Sequence, residues 1–594
     1  MARTALAALL AGTVALGQST KPSPPKVVLV GDSIRLGYAP LVAKLLEGQA
    51  AVVSPPGAGD SAWLLKNLDA LVLDHKPDLV HLNVGLHDLR RDRKAKALQV
   101  DLPDYERNLD KVLARLKGTG ATTLFATTTP IDDARHARRG FDRFEKDVAR
   151  YNEAALRAAR KHGVVAHDLH HLVRHAGPDR LLLADGTHYN DAGKRLQAEA
   201  VADCVLRHLA LRASKAGTVP TADPTDTARY RKAEAERDAL VPAAFKKLPV
   251  GKFEPPATAE EWHKRRPKVR EIVVSSLGDL PPRPRPSARL VSREIHPHFA
   301  LESLTIPNGV DGEMTAFLLL PHTGVRPLPA ILWLHSSSHD RTQMLKRGHN
   351  GGDEPLGEVF AKRGYAVFAP DACWYGGRAG AGPSGQAEAA REQHESLFKY
   401  NLWFGRTLWG MFVRDDQVAL DYLCTRAEID AKRIGATGIS MGSTRSWWLA
   451  AVDDRVACAV GVACLTRYQN MLAHGQLRQH GVYYYVNGLL KHFDSEAVVA
   501  LIAPRPFLAL TGELDAGSPA DGVRAIEGQA GRVYSVLGAK DRFRSVLYQD
   551  TGHVYTADMR QRMLAWFDRW LEPGKGKGGT KRQVRGGVTV APAG

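Results

Sequence analysis

Apolar residues along this chain come in short blocks, separated by stretches in which they return every three or four positions. The blocks KVVLVGDS (from residue 26), LVHLNVG, TTLFATTTP and VVAHDLHHL predict strands, and the intervening segments Tyr105 to Leu116 and Phe141 to His162 predict amphipathic helices. Strand and helix in regular alternation build a parallel, doubly wound sheet. A helix over roughly Asp191 to Ala213 closes this first unit, and the segment TVPTADPTDT reads as a linker. A charged helical stretch, TARYRKAEAERDALV, and a Pro-rich passage, LPPRPRPSA, lead into a second unit. There LVSREIHPH, LESLTIP and MTAFLLLP predict antiparallel opening strands. PAILWLHSS, GYAVFAPDA, RIGATGIS, VACAVGVAC and RPFLALTGE then alternate with helices up to Leu571.

With 594 residues the chain exceeds what one hydrophobic core organises, about 250–300 residues, and no fixed-period repeat is visible. The expectation is two different α/β domains: residues 26–213 and 255–572, joined by a linker and helical lead-in at 214–254 and followed by a disordered Gly- and Lys-rich tail at 573–594. Residues 1–20 read as a cleaved export signal, with Arg3 ahead of an Ala/Leu run that ends in Ala15-Leu16-Gly17. That predicts a secreted or periplasmic protein without a membrane span. The net charge of +17 favours polyanions in general. Lys and Arg are scattered, however, apart from Lys575, Lys577, Lys581, Arg582 and Arg585 in the tail, and no zinc-finger or RNA-binding signature accompanies them, so no nucleic-acid partner is expected. Five cysteines without C-x-x-C spacing argue against a thiolate metal site, and Cys458 and Cys464 read as small core residues.

Candidate chemistry appears twice. Gly31-Asp32-Ser33-Ile34 puts a hydroxyl where the first strand gives way to a helix, the edge at which open parallel sheets bind ligands. Asp185-Gly186-Thr187-His188 supplies an imidazole with a carboxylate three residues away to orient it. Together with PPGAGDSAW and Gly85-Leu86-His87-Asp88, these blocks resemble the SGNH (GDSL) hydrolase family over residues 26–212. The resemblance implies a flavodoxin-like three-layer sandwich, with Ser33 as nucleophile, His188 as base, Asp185 as its acid, and the Ser33 amide, Gly59 and the His87 block as oxyanion hole. His87 stands where the family carries Asn. Its N–H still offers a donor, but a protonated His87 would compete with His188 for charge.

In the second unit, Gly438-Ile439-Ser440-Met441-Gly442 turns a strand sharply into the helix STRSWWLAAV, the G-x-S-x-G elbow that projects a nucleophile above a sheet. Asp515 follows a later strand and His553 lies in a loop before the last helix, giving the order Ser, acid, His. Glu513 is the rival acid. The oxyanion hole requires the Met441 amide and one after the strand ILWLH, where Ser336 occupies the usual glycine position. Residues 255–571 resemble the α/β-hydrolase superfamily, in particular acetylxylan esterases and dienelactone hydrolase-like enzymes. That resemblance implies a doubly wound sheet with Ser440, His553 and Asp515 as the triad, and no metal or organic cofactor. Trp374 and Tyr375, with Trp403, Trp409 and Tyr483 to Tyr485, are candidates to stack on sugar rings, whereas Trp447 and Trp448 read as core. The resulting expectation is a bimodular serine carbohydrate esterase removing ester groups, foremost O-acetyl, from an acetylated polysaccharide such as xylan. The alternatives are a bulkier glucuronoyl or feruloyl ester at the second site, a prolyl oligopeptidase-type peptidase there, or a first unit that only binds glycan.

Overall fold

Fourteen strands form one uninterrupted sheet in this computed structural model, which describes residues 23–137, 140–216, 227–388 and 390–574. The expected export signal, the linker residues 217–226 and the tail beyond residue 574 lie outside the described residues. In chain order the strands are β1 (Lys26–Gly31), β2 (Ala51–Val53), β3 (Leu79–Asn83), β4 (Thr122–Ala126), β5 (Val165–His167), β6 (Arg289–Ile295), β7 (Phe299–Pro307), β8 (Glu313–Pro321), β9 (Leu328–Leu334), β10 (Ala366–Pro370), β11 (Ile429–Ile439), β12 (Val456–Val462), β13 (Phe507–Gly512) and β14 (Phe543–Tyr548). Across the sheet they run β14-β13-β12-β11-β9-β10-β8-β7-β6-β5-β4-β3-β1-β2. The first five pair in parallel, as do β9 to β14. Between them β6, β7 and β8 are antiparallel to their neighbours.

Local sequence explains the elements. The inner parallel strands are buried on both faces and are near-continuous apolar runs: every residue of β9 and β10 is buried. The helix Leu102–Lys117 starts at Asp101, whose carboxylate accepts from the Asp104 amide, and ends with Arg115 and Lys117 against its negative pole. It buries Tyr105, Leu109, Val112, Leu113 and Leu116, one stripe at helical spacing.

The two expected domains share the sheet because β5 pairs antiparallel with β6, Ala166 opposite Ile295 and His167 opposite Glu294. A polar cluster stitches this seam. Glu294 is fully buried, accepts from Arg207 (3.1 Å) and Cys204 (3.0 Å), and lies against His208 (3.1 Å) and His296 (2.8 Å). Burial alone would raise the Glu294 pKa, but Arg207 and His208 outweigh it and hold the carboxyl well below its usual range. Arg207 also donates to Asp203 (2.8 Å), and Arg293 pairs with Asp168. Cys204, His208 and Glu294 bring donor atoms within 4.8 Å of one another, but a cation there would meet the Arg207 guanidinium already seated on the carboxylate. One apolar cluster runs from Val27 to Ala539 and so spans both halves.

The four antiparallel pairings between β5 and β10 are an even number, so the parallel strands of both halves end at the same edge of the sheet. Ser33 follows β1 and Ser440 follows β11. At about 4.8 Å per strand, the nine steps between them put the two serines about 40 Å apart along the sheet. No described helix is long and apolar enough to cross a membrane.

Candidate active sites

At the end of β1 the backbone passes so close to β3 that a side chain on Gly31 would stand 1.9 Å from the Asn83 carbonyl oxygen. Asp32 then caps the helix Ser33–Leu45, accepting from the Ile34 amide (2.9 Å) and from the Asn83 side chain (2.8 Å). This fixes Ser33 as the first helical residue. Its Oγ donates to His188 Nε2 at 2.9 Å, and His188 Nδ1 donates to Asp185 Oδ2 at 2.6 Å. A carboxylate on Nδ1 dictates the tautomer that leaves Nε2 free to accept the serine proton. Asp185 also accepts from the Thr187 and His188 amides (3.0 and 2.9 Å). Burial pushes its pKa up, but these bonds win and hold the carboxyl well below its usual range, so it stays ionised.

Hydrogen bonds tie the two expected oxyanion loops to the helix that begins at Ser33 and to each other. Arg35, fully buried one turn into the helix, holds the loop before Gly59 by donating to the Pro55 (2.9 Å) and Gly57 (2.7 Å) carbonyls. Gly59 has no room for a side chain, because Trp63 lies 2.5 Å from where a Cβ would stand. Asp88 ties the next block to this loop by accepting from the Ser61 amide (2.9 Å). His87 is half-buried, and its Nε2 has no hydrogen-bond partner among the described residues. Burial lowers its pKa while Asp32 pulls the other way; the net shift is downward, so His87 is neutral at pH 7 and does not compete with His188 for charge. Sequence reasoning missed Arg35 and Asn83, whose roles rest on long-range contacts.

In the second half, Ser440 adopts φ 59° and ψ −120°, the strained elbow the motif requires. The glycines are needed because Cβ atoms at 438 and 442 would stand 2.1 and 1.9 Å from the Leu334 carbonyl oxygen of β9. Asp515, 2% exposed, accepts from His553 Nδ1 at 2.8 Å and from the Gly517 amide at 2.9 Å. Glu513 instead faces Arg231 (3.2 Å) and Arg524 (3.4 Å), so the carboxylate beside the imidazole is Asp515. Burial works against the charge on His553, but Asp515 outweighs it and raises the His553 pKa. Ser440 and His553 line one pocket of about 520 Å³, though no hydrogen bond joins them among the described residues. The sites thus differ: the Ser33 relay is closed, whereas the Ser440 relay still has its last bond to make.

The model of the Abhydrolase family matches residues 229–532, more than half of the chain. The Bacillus subtilis (strain 168) protein YtaP is 33% identical over 310 residues, covering 52% of this chain and 100% of that relative. The chain belongs to the Abhydrolase family. Its first part, residues 29–196, matches the GDSL-like Lipase/Acylhydrolase family, so the whole is a hydrolase of two α/β parts. Among solved structures, a glucuronoyl esterase from Solibacter usitatus aligns at 19% identity over 56% of this chain and 99% of that one, TM-score 0.42. The acetyl xylan esterase AlAXEase aligns at 22% identity over 30% of this chain and 99% of that one, TM-score 0.27.

Within the abhydrolase half the oxyanion loop needs a correction. The Ser336 amide, expected to serve the oxyanion, already donates to Gln343 Oε1 at 2.9 Å, and the Ser336 hydroxyl bonds His339. Ser337, the next residue, lines the pocket with Ser440, and Met441 is the first residue of the helix Met441–Val452. His335 braces this loop: it is fully buried, its Nε2 accepts from the Ala372 amide (2.8 Å) and its Nδ1 donates to the Ser336 carbonyl (2.8 Å).

The Ser440 pocket of this abhydrolase shares Ser337, Gln479, His480 and Tyr483 with an adjoining cleft of about 1020 Å³. Tyr375, Phe398, Tyr483 and Tyr485 wall the cleft, and Arg391, Lys399 and Arg478 charge it, with Glu395 paired to Arg391 at 3.3 Å. Trp374 does not reach it; the indole packs against the core beside Arg378, 5.9 Å away. Trp409 is also corrected: it is fully buried and stacked on Phe412 at 5.6 Å. Trp447 and Trp448 are fully buried, and Trp403 is 88% exposed.

Proposed function

We propose that the protein is a carbohydrate esterase working through two separate serine sites, with the Ser33 site removing O-acetyl groups from a polysaccharide such as xylan. The observation that carries this reading is the closed relay Ser33–His188–Asp185, with bonds of 2.9 and 2.6 Å. In it Ser33 attacks the ester carbonyl as His188 takes its proton, and the Ser33 amide, Gly59 and His87 hold the developing oxyanion. The sugar hydroxyl leaves with the proton from His188, and water activated by the same imidazole releases the acid from the acyl-enzyme. The closed relay also speaks against a first half that only binds glycan.

For the Ser440 site the cleft favours a bulkier ester than acetate, of the glucuronoyl or feruloyl kind. Its volume of about 1020 Å³ and its aromatic walls exceed what a methyl group needs. The same chemistry proceeds there from Ser440, with His553 as base, Asp515 as its acid, and the Met441 and Ser337 amides as donors. An export signal in residues 1–20 fits a polymeric substrate outside the cytoplasm. Ser33→Ala and Ser440→Ala, assayed on acetylated xylan and on a glucuronoyl ester, test the division. Ser33→Ala should lose most acetate release and keep uronoyl cleavage, and Ser440→Ala the reverse. Unchanged acetate release and product pattern in Ser33→Ala would end the two-enzyme reading.

A further inference from the structure

The exposed aromatic residues at the end of the helix Ala390–Trp403 lie one turn beyond the cleft. Phe398 and Lys399 line the cleft, and Leu402 and Trp403 follow each of them by four residues, so they continue the same face of the helix. Leu402 is 46% exposed, Trp403 88% and Phe404 55%. Single exposed apolar side chains need no explanation, but a contiguous run of them beside a site does.

The run is held on a firm base. The helix end is closed by Gly405, at φ 67°, and by the Arg406 amide bonding the Asn401 carbonyl (3.2 Å). Asn401, 2% exposed, is anchored to the Leu397 carbonyl (2.8 Å) and accepts from Arg406 Nε (2.7 Å). Arg406, 9% exposed, brings its guanidinium to 5.8 Å from the Tyr400 ring and 5.3 Å from the Phe404 ring, which contact each other at 4.9 Å. These rings are therefore fixed before any ligand arrives, which lowers the ordering cost of binding.

We propose that Trp403 and its neighbours form an outer subsite that stacks on main-chain sugar rings of the polysaccharide whose ester enters the Ser440 pocket. The inference rests on the carbohydrate-esterase reading and adds to it a second contact, remote from the reacting carbonyl. Flat apolar sugar faces match an exposed indole. A cleft adjoining the Ser440 pocket selects a chain long enough to span both, and Arg391, Lys399 and Arg478 outnumber Glu395 there, which favours chains that bear carboxylates.

The test uses the full chain carrying Ser33→Ala and Ser440→Ala, so that bound polymer is not turned over. Affinity electrophoresis in acetylated xylan, acetylated mannan and esterified pectin then measures binding. Adding Trp403→Ala should weaken retention on the bound polymer about three- to tenfold, and Trp403→Phe should restore most of it. With Ser440 intact, Trp403→Ala should raise KM on that polymer and not on a small uronoyl ester. Equal retention of the two proteins on a polymer that the parent binds would overturn the outer subsite and leave the esterase reading standing. No polymer bound by the parent and no ester released from any by the active protein would overturn both. A parent that sediments as a dimer and a Trp403→Ala monomer of unchanged polymer affinity would make the patch an interface between copies, which also overturns the proposal.

Discussion

Single hydrogen bonds decide which groups in each site are available. The Ser336 amide sits where the sequence places an oxyanion donor, yet Gln343 occupies it, and under the proposed function the task passes to the amide of Ser337, which lines the Ser440 pocket. Ser337→Pro, which removes that amide, should lower kcat at the Ser440 site about 10²- to 10³-fold, whereas Ser336→Ala should stay within about threefold. Steady-state kinetics in a Ser33→Ala background read this, with circular dichroism to check the fold. The pH profile of the same site follows from His553. Asp515 holds the imidazolium, so the His553 pKa is raised above its ordinary 6.5. Catalysis needs the neutral base, so kcat/KM should rise with pH to a midpoint above 6.5. A midpoint below 6.5 would contradict the assignment. Both candidate serines, Ser33 and Ser440, were legible in the sequence because each lies in a local motif that dictates its own backbone. The Ser336 assignment was not, because its amide is taken by a side chain seven residues away that no local pattern reveals.

Elements show the same divide. The long buried strands announce themselves as apolar runs, but β2 is three residues long and β14 is a half-buried edge strand of mixed composition, so neither gives a clear periodic signal. Trp409 reads from sequence as a candidate to stack on a sugar ring and is instead the buried second residue of the helix Leu408–Thr425. The seam between β5 and β6 joins segments more than 120 residues apart through two pairs, and only the assembled fold reveals it. Glu294→Ala removes the acceptor at its centre and leaves Arg207 buried without half its partners. That should cost about 3–5 kcal/mol and, because the sheet is continuous, affect both halves. Urea unfolding followed by tryptophans of the two halves, Trp63 and Trp447, measures it. Loss confined to one half would show that the seam does not couple them.

At the scale of the whole molecule, buried histidines set the acid limit. Burial holds His167, His335, His394 and His480 at about 4, with neutral rings in the folded protein. In the unfolded chain they titrate near 6.5, so below that pH the unfolded state binds more protons. Their contribution is complete above pH 6.5 and is lost as pH falls toward 4. His474 has the opposite sign: Asp521 and Asp238 raise its pKa to about 9, so its contribution is present below 6.5 and lost as pH rises through 9. With His339 also held at about 4, these rings outnumber His474 and His553, the two whose pKa is raised, which predicts a Tm that declines between pH 6.5 and 4; a flat or rising Tm there would contradict the burial of these rings.

The sheet also keeps the two serines about 40 Å apart, too far to share a base or an oxyanion hole, so each must react alone. A fluorophosphonate ester tests this directly, since an activated serine attacks phosphorus, expels fluoride and keeps the phosphonyl group. Intact-mass spectrometry should find two phosphonyl groups on the unaltered protein, one on Ser33→Ala, one on Ser440→Ala and none on the double variant. A single adduct on the unaltered protein, or one that survives in the double variant, would contradict two independent serine sites.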